Sequence, residues 1–212
     1  LRREIEPVSP TVFMRFLFRY HGVERARRRE GVEGLHAVIE QLSGFEASAA
    51  AFEDDLFPAR IHGYDPSQLD ALCLQGRVLF ARTRVQKGDS NPSGRARKTA
   101  PIRTTPLAFM LREDRALFLR SDREESESAP PLSPSGSLII DTLSREGALF
   151  FDELREASGL LPSALEEAIG EAIARGAISA DSFAAIRTLL LPSEKRRRNR
   201  RYRHDPGLSV GG

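Results

Sequence analysis

The chain has 212 residues, of which 40% are hydrophobic and 29% charged, with a formal net charge of +2 and one cysteine. That length holds one large or two small domains, and the lone Cys73 excludes an internal disulfide framework and suits a reducing cytoplasm. No apolar run approaches the roughly 20 residues of a membrane span, no signal peptide opens the chain, and the lack of tryptophan argues against a dense enzyme interior. The start at Leu1 and the Ser209-Val210-Gly211-Gly212 ending fit an excerpt from a longer polypeptide.

Residues 1–8 read as a charged lead-in, after which Ser9-Pro10 supplies an N-cap and a proline at the first helical position. A helix is predicted over Thr11–Tyr20, with Val12, Phe13, Phe16, Leu17 and Tyr20 turned toward a core and Gly22 as its stop. Arg25, Arg27, Arg28 and Arg29 follow as a basic connection, either a solvated linker or a phosphate contact. A second amphipathic helix is predicted over Gly34–Leu42 and a third over residues 47–57. Asp65-Pro66 repeats the cap-and-proline device and opens a helix through Leu69, Leu72 and Leu74 to Gly76. A strand over Arg77–Val85, a Gly/Ser/Pro/Lys-rich loop over Gln86–Ala100, and extended runs at Ile102–Arg112 and Ala116–Arg120 then predict a large β wing. Residues 121–136 are polar and proline-bearing and read as a linker.

Beyond it, Ser137–Leu190 changes period in a fixed order. Leu138, Ile139, Thr142 and Leu143 mark a helix, and Ala148–Phe151 a short extended run. Leu154 and Ala157 mark a second helix closed at Ser158-Gly159. Leu165, Ala168, Ile169, Ala172 and Ile173 mark a third, with Gly176 placed for a left-handed end. Ala177–Ser179 and Phe183–Leu190 read as extended or mixed segments forming a hairpin. That order is a winged helix. Pro66-Ser67-Gln68-Leu69-Asp70 also parallels Pro162-Ser163-Ala164-Leu165-Glu166, with the closing glycine one helical turn later in the second copy, as in a duplication. The expectation is an α+β, helix-rich chain with two winged-helix-like domains, the first with an enlarged wing: residues 1–122, a linker over 123–136, residues 137–192, and a basic, disordered tail over 193–212.

No catalytic constellation emerges. GxxxxGK[ST], HExxH and Cys-x-x-Cys are absent, and His21, His36, His62 and His204 share no helical face. Charge distribution is more informative. Residues 77–103 hold eight basic side chains, Arg77, Arg82, Arg84, Lys87, Arg95, Arg97, Lys98 and Arg103, against Asp89 alone. The tail adds Lys195, Arg196, Arg197, Arg198, Arg200, Arg201 and Arg203, whereas residues 121–171 carry twelve acids and three bases. Phosphate backbones attract the first two stretches and repel the third. The helix at Leu165–Ile173 is expected to present Glu166, Glu167 and Glu171 outward, which makes it a poor groove reader. The helix after Asp65 offers only Ser67, Gln68 and Gln75 as donors. Backbone contact through wing and tail, without base readout, is therefore expected on single-stranded or duplex DNA.

The phrases GLHAVIEQLSGFEA (34–47), RTTPLAFMLRED (103–114) and GALFFDEL (147–154) carry a resemblance that spans about residues 8–200. The chain resembles the C-terminal extension of large helicase-related (Lhr-type) superfamily 2 helicases. The resemblance implies a bacterial, cytoplasmic, nucleoid-associated ATP-dependent DNA repair helicase whose ATPase core lies N-terminal to this piece. It places ATP and magnesium at that core and implies no cofactor, metal or catalytic residue in this chain. It also leaves two other roles open: a scaffold packing on the helicase core or another protomer, and part of a glycosylase-like repair domain.

Overall fold

The computed structural model describes residues 7–83, 105–118 and 132–190. Pro10–Tyr20 forms α1, with the Ser9 side chain accepting from Val12 N–H at 3.3 Å. Strand β1 (Arg29–Glu30) leads into α2 (Gly31–Gln41), which buries Leu35, Val38 and Ile39. Strand β2 (Glu46–Ser48) precedes the single turn α3 (Ala49–Ala51), which widens into a π-helical turn over Phe52–Leu56. Then follow β3 (Ile61–His62), α4 (Pro66–Leu74), β4 (Val78–Ala81), β5 (Pro106–Leu111) and the short α5 (Arg115–Phe118). Four helices complete the described chain: α6 (Pro134–Glu146), α7 (Phe151–Ser158), α8 (Pro162–Ala174) and α9 (Phe183–Leu190).

The first unit is a winged helix. Its three helical segments, α2, α3 with the π turn, and α4, pack on an antiparallel sheet of order β2-β5-β4. Residues 84–104, which connect β4 to β5 in sequence, lie outside the described residues. A second pairing, parallel, joins β1 to β3. The π turn has a packing reason. Residues five apart in an α-helix sit roughly 140° apart around the axis. The wider turn, closed by Phe57 N–H to the Phe52 carbonyl at 2.9 Å, lets both phenyl rings reach the core. There Phe109 of β5 meets Phe52, Phe57, Phe80 and Phe183 with ring centroids 4.8 to 5.7 Å away.

The second unit stacks α6, α7 and α8 around Ile139, Leu154, Leu165, Ala168 and Ala172. The two helices that carry the expected repeat, α4 and α8, end alike. Helix α4 has 9 residues and α8 has 13. Each is closed by a left-handed glycine, Gly76 at φ 67° and Gly176 at φ 70°. The next N–H reaches back five residues in both, Arg77 to Leu72 and Ala177 to Ala172.

The α+β, helix-rich winged-helix class matches the expectation, and several local expectations need correction. Helix α1 buries no residue: Val12, Phe13, Phe16 and Tyr20 are about half exposed rather than turned to a core. Apolar periodicity marks a face but not what covers it. The expected helix over 47–57 begins as a strand, because Glu46–Ser48 pairs with Pro106–Ala108 across 58 or more residues. With that sheet edge taken by β2, the described part of the run expected at Ala116–Arg120 is not a third wing strand: Arg115–Phe118 is helical, and residues 119–120 lie outside the described residues. Helix α6 starts at Pro134, inside the stretch read as linker.

The second unit has no strand among its described residues, neither at Ala148–Phe151 nor after α8. Phe183–Leu190, expected as wing, is α9. Its Phe183 and Ile186 are one helical turn apart, and both enter the first unit's core beside Leu69 and Phe80. The two units are thus joined through one apolar cluster. No helix of the described residues is long and apolar enough to cross a membrane.

Candidate nucleic-acid interface

In a winged helix the groove-facing element is the third helix, here α4. Its sequence, PSQLDALCL, contains no lysine or arginine. Ser67 and Leu74 are exposed, and Leu74, at 69%, points an apolar side chain where a reader would carry a donor. One flank of α4 is covered by α9. Arg187 on α9 donates from Nη1 and Nη2 to the two Asp70 oxygens at 2.9 Å and from Nε to Glu53 at 2.6 Å. Tyr64 Oη donates to the other Glu53 oxygen at 2.6 Å. Burial pulls the Arg187 guanidinium down, but its bonds to Asp70 and Glu53 outweigh that and hold it above its ordinary value. Burial, then the bond to Glu53, pushes the Tyr64 phenol up. Burial, then the Asp70 charge, pushes the Cys73 thiol up to about 12, which fits its place as an inert core side chain. The chemistry of this flank is structural.

Two of the basic residues nominated from sequence can be placed. Arg77, at the start of the wing, holds Glu33 of α2 bidentately at 2.5 and 2.8 Å. That pair lowers the Glu33 carboxyl and raises the Arg77 guanidinium. Arg82, at the end of β4, donates to the Ala174 carbonyl at the C-terminus of α8, where a cation complements the helix dipole. Burial lowers its guanidinium. Ser179 Oγ adds a bond to the Phe80 carbonyl at 2.7 Å, so the base of the wing is also the seat of the second unit. Arg84, Lys87, Arg95, Arg97, Lys98 and Arg103, and the tail residues Lys195, Arg196, Arg197, Arg198, Arg200, Arg201 and Arg203, lie outside the described residues.

The acidic face expected on α8 is smaller than the sequence suggested. Glu167 is exposed and Glu166 half-buried, but Glu171 is 7% exposed and does not point outward. Its carboxylate accepts from Ser133 N–H at 3.0 Å and Ser133 Oγ at 2.5 Å, with Arg175 at 3.4 Å. A carboxylate there seats the N-terminus of α6. The close approach is possible because residue 136 is glycine: a Cβ would lie 2.9 Å from Glu171 Oε2. Among the described residues, no group of three or more His, Cys, Asp or Glu side chains converges to hold a metal ion.

The structure also assembles something the sequence left divided. Pairing of β1 with β3 sets Arg29 opposite Ile61 and brings Arg60 and His62 alongside the Arg25–Arg29 cluster. A two-residue strand carries no periodicity, so only the basic run itself was readable.

Comparison with known proteins adds relatives. Residues 8–95 match a domain family described as large helicase-related protein, winged-helix domain. A protein of Mycolicibacterium smegmatis named "Lhr helicase/ probable uracil glycosylase" is 31% identical over 193 residues, 90% of this chain and 11% of that protein. One of Escherichia coli named "Lhr helicase/uracil glycosylase" is 28% identical over 217 residues, 96% of this chain and 13% of that protein. The chain thus spans about an eighth or less of the relatives it matches.

Proposed function

This chain carries the winged-helix domain of the large helicase-related proteins, and from that premise we propose that it is an accessory nucleic-acid-binding region of an ATP-dependent DNA helicase. It grips the backbone of single-stranded or duplex DNA without reading bases. The observation behind this reading is the contrast between α4, which lacks cations and is flanked by α9, and a wing and tail crowded with them. Backbone contacts hold and orient a protein, while base contacts specify sequence. Strand separation and ATP hydrolysis belong to a core outside these residues, where ATP and magnesium act. The glycosylase in the relatives' names is said of proteins many times longer, and no residue here is assigned to it.

The test is fluorescence anisotropy with single-stranded and duplex DNA over a salt series. Affinity is expected to fall steeply with salt, with a slope of about −0.9 per phosphate contacted on duplex and about −0.7 on single strands. Deleting residues 193–204, or neutralising Arg95, Arg97 and Lys98, should make the slope shallower for every sequence alike. Absence of binding at low salt, or a strong preference for one sequence, would sink the reading.

A second reading, a scaffold, is favoured by one observation. Helix α1 exposes Val12, Phe13, Met14, Phe16, Phe18 and Tyr20 at 46 to 58%, with Val8 at 60% beside them. Contiguous exposed apolar surface of this kind marks a contact with another protein surface. Phe13→Ser with Phe16→Ser should leave the melting temperature within about 2 °C, because α1 contributes nothing to either core. Docking on the helicase core or another protomer, measured by analytical ultracentrifugation, should weaken. Unchanged docking would dismiss α1 as its surface.

A further inference from the structure

We propose that Arg28 and Arg60, with Arg25 on the turn just before them at the edge of the β1–β3 pair, form a second seat for nucleic-acid phosphates, separate from wing and tail. The inference rests on the nucleic-acid reading above and adds a site to it. Arg29 N–H donates to the Arg60 carbonyl at 2.9 Å, and the parallel register continues as Arg29 beside Ile61 and Glu30 beside His62. One step before that register, Arg28 stands alongside Arg60, and residues paired across a parallel ladder project to the same face. The pairing thus brings Arg28 and Arg60, 32 positions apart in sequence, to neighbouring positions on one face.

Both are half-buried, and both have an Nε–H that meets no hydrogen-bond partner among the described residues. The Arg60 Nη1 donates to the Leu56 carbonyl at 2.9 Å, which fixes the guanidinium without neutralising it. Burial lowers Arg60, and no carboxylate acts on it to offset that. His21 Nδ1 is likewise unpartnered, and a Cβ at the adjacent Gly22 would lie 3.5 Å from the Arg27 carbonyl, so this turn borders the same edge. With each Nε–H enclosed, a phosphate would meet these arginines through their outer Nη groups, since guanidinium groups match phosphate oxygens.

The acids nearby do not supply the missing acceptors. Glu24 is engaged by Arg19 at 3.4 Å and Arg27 at 3.9 Å. Glu30 shares the face but sits in register with His62, beyond the arginine pair. Arg25, Arg28, Arg29 and Arg60 form no ion pair with a described carboxylate. A phosphodiester backbone fits better than a carboxylate peptide because several donors lie along an exposed strand edge, where successive phosphates can follow one another.

The experiment is the same salt-series anisotropy on the 212-residue chain, with Arg25→Gln/Arg28→Gln as the main variant. Arg15→Gln/Arg145→Gln, at two exposed positions on α1 and α6, gives an equal change in net charge elsewhere. Arg60→Gln is added with its melting curve, because that variant also loses the bond to Leu56. Binding by Arg25→Gln/Arg28→Gln is expected to be about tenfold weaker at low salt, with a slope shallower by about 1 to 2. That control variant should change little. Equal losses in both would reduce the effect to net charge and overturn the seat. If wing and tail variants weaken binding and Arg25→Gln/Arg28→Gln does not, the seat is wrong and the nucleic-acid reading stands. If the unmodified chain binds no DNA at low salt, both are wrong.

Discussion

Replacing Phe109 by alanine should lower the unfolding free energy by about 3–5 kcal/mol, the range for truncating a buried phenylalanine. That is a large share of the roughly 5–15 kcal/mol of a typical domain. Phe109 is 1% exposed and lies in register with Phe80 across the β4–β5 ladder. Its ring meets Phe52 at 4.8 Å, Phe183 at 5.2 Å, Phe57 at 5.5 Å and Phe80 at 5.7 Å. Each well-oriented aromatic pair adds about 0.5–1.5 kcal/mol beyond its burial, so the loss should sit at the upper end. Phe109→Leu, which leaves a smaller void, should cost about 1–2 kcal/mol. Because Phe183 comes from α9, the damage should reach both units. Urea denaturation gives the free energies, and hydrogen exchange gives their distribution. Amides of α9 should lose protection together with those of β4 and β5. A loss below about 1 kcal/mol, or an α9 that keeps its protection, would show that the shared core is not what holds the units together.

What could be read from sequence divides along the range of the interaction. Caps and stops are local, and they were legible. Ser9 and Asp65 cap the helices expected of them, and Gly22, Gly76, Gly159 and Gly176 all take positive φ where the chain was expected to stop. Strand β2 was hidden because its reason for being extended lies in β5, far along the chain. The eight residues of α9 form a short apolar run, and such a run reads equally as strand or helix until its partner is known. Here the partner is the groove beside α4, already lined by Leu69 and Cys73.

The candidate interface follows the same rule. Composition showed where positive charge accumulates, but not which cations the fold consumes. Arg77 is committed to Glu33, 44 positions away, and Arg82 to Ala174, 92 positions away. Glu171, read as an outward repellent, is instead the seat of Ser133. Conversely, Arg60 gave no signal of its own and matters only because β3 lies beside β1. Charge runs identify reserves of charge; pairing decides which members stay available to a ligand.

Arg187→Met should destabilise the chain by about 2–4 kcal/mol, somewhat below the range for breaking a fully buried ion pair. The side chains of Arg187, Glu53 and Asp70 are 28%, 12% and 22% exposed, so water screens part of the loss. What makes the change costly is what stays behind. Glu53 and Asp70 would face each other as like charges, with Tyr64 still donating to Glu53 and no cation between them. Arg187 also lies over the Phe183 ring at 5.8 Å, a contact that methionine replaces only by packing. Lysine should not rescue the site, since one ammonium cannot serve Asp70 in two parallel bonds and reach Glu53 as well. Glu53→Gln with Asp70→Asn, added to Arg187→Met, should recover most of the loss, because a neutral site needs no counter-ion. The set forms a thermodynamic cycle, and urea denaturation of each member gives the coupling between cation and carboxylates. A triple variant as unstable as Arg187→Met alone would place the stabilisation in side-chain packing of α9 and not in charge. Recovery would show that α9 is held on the flank of α4 by neutralising two carboxylates, so that the helix a winged helix would turn toward DNA is kept by this chain for its own second unit.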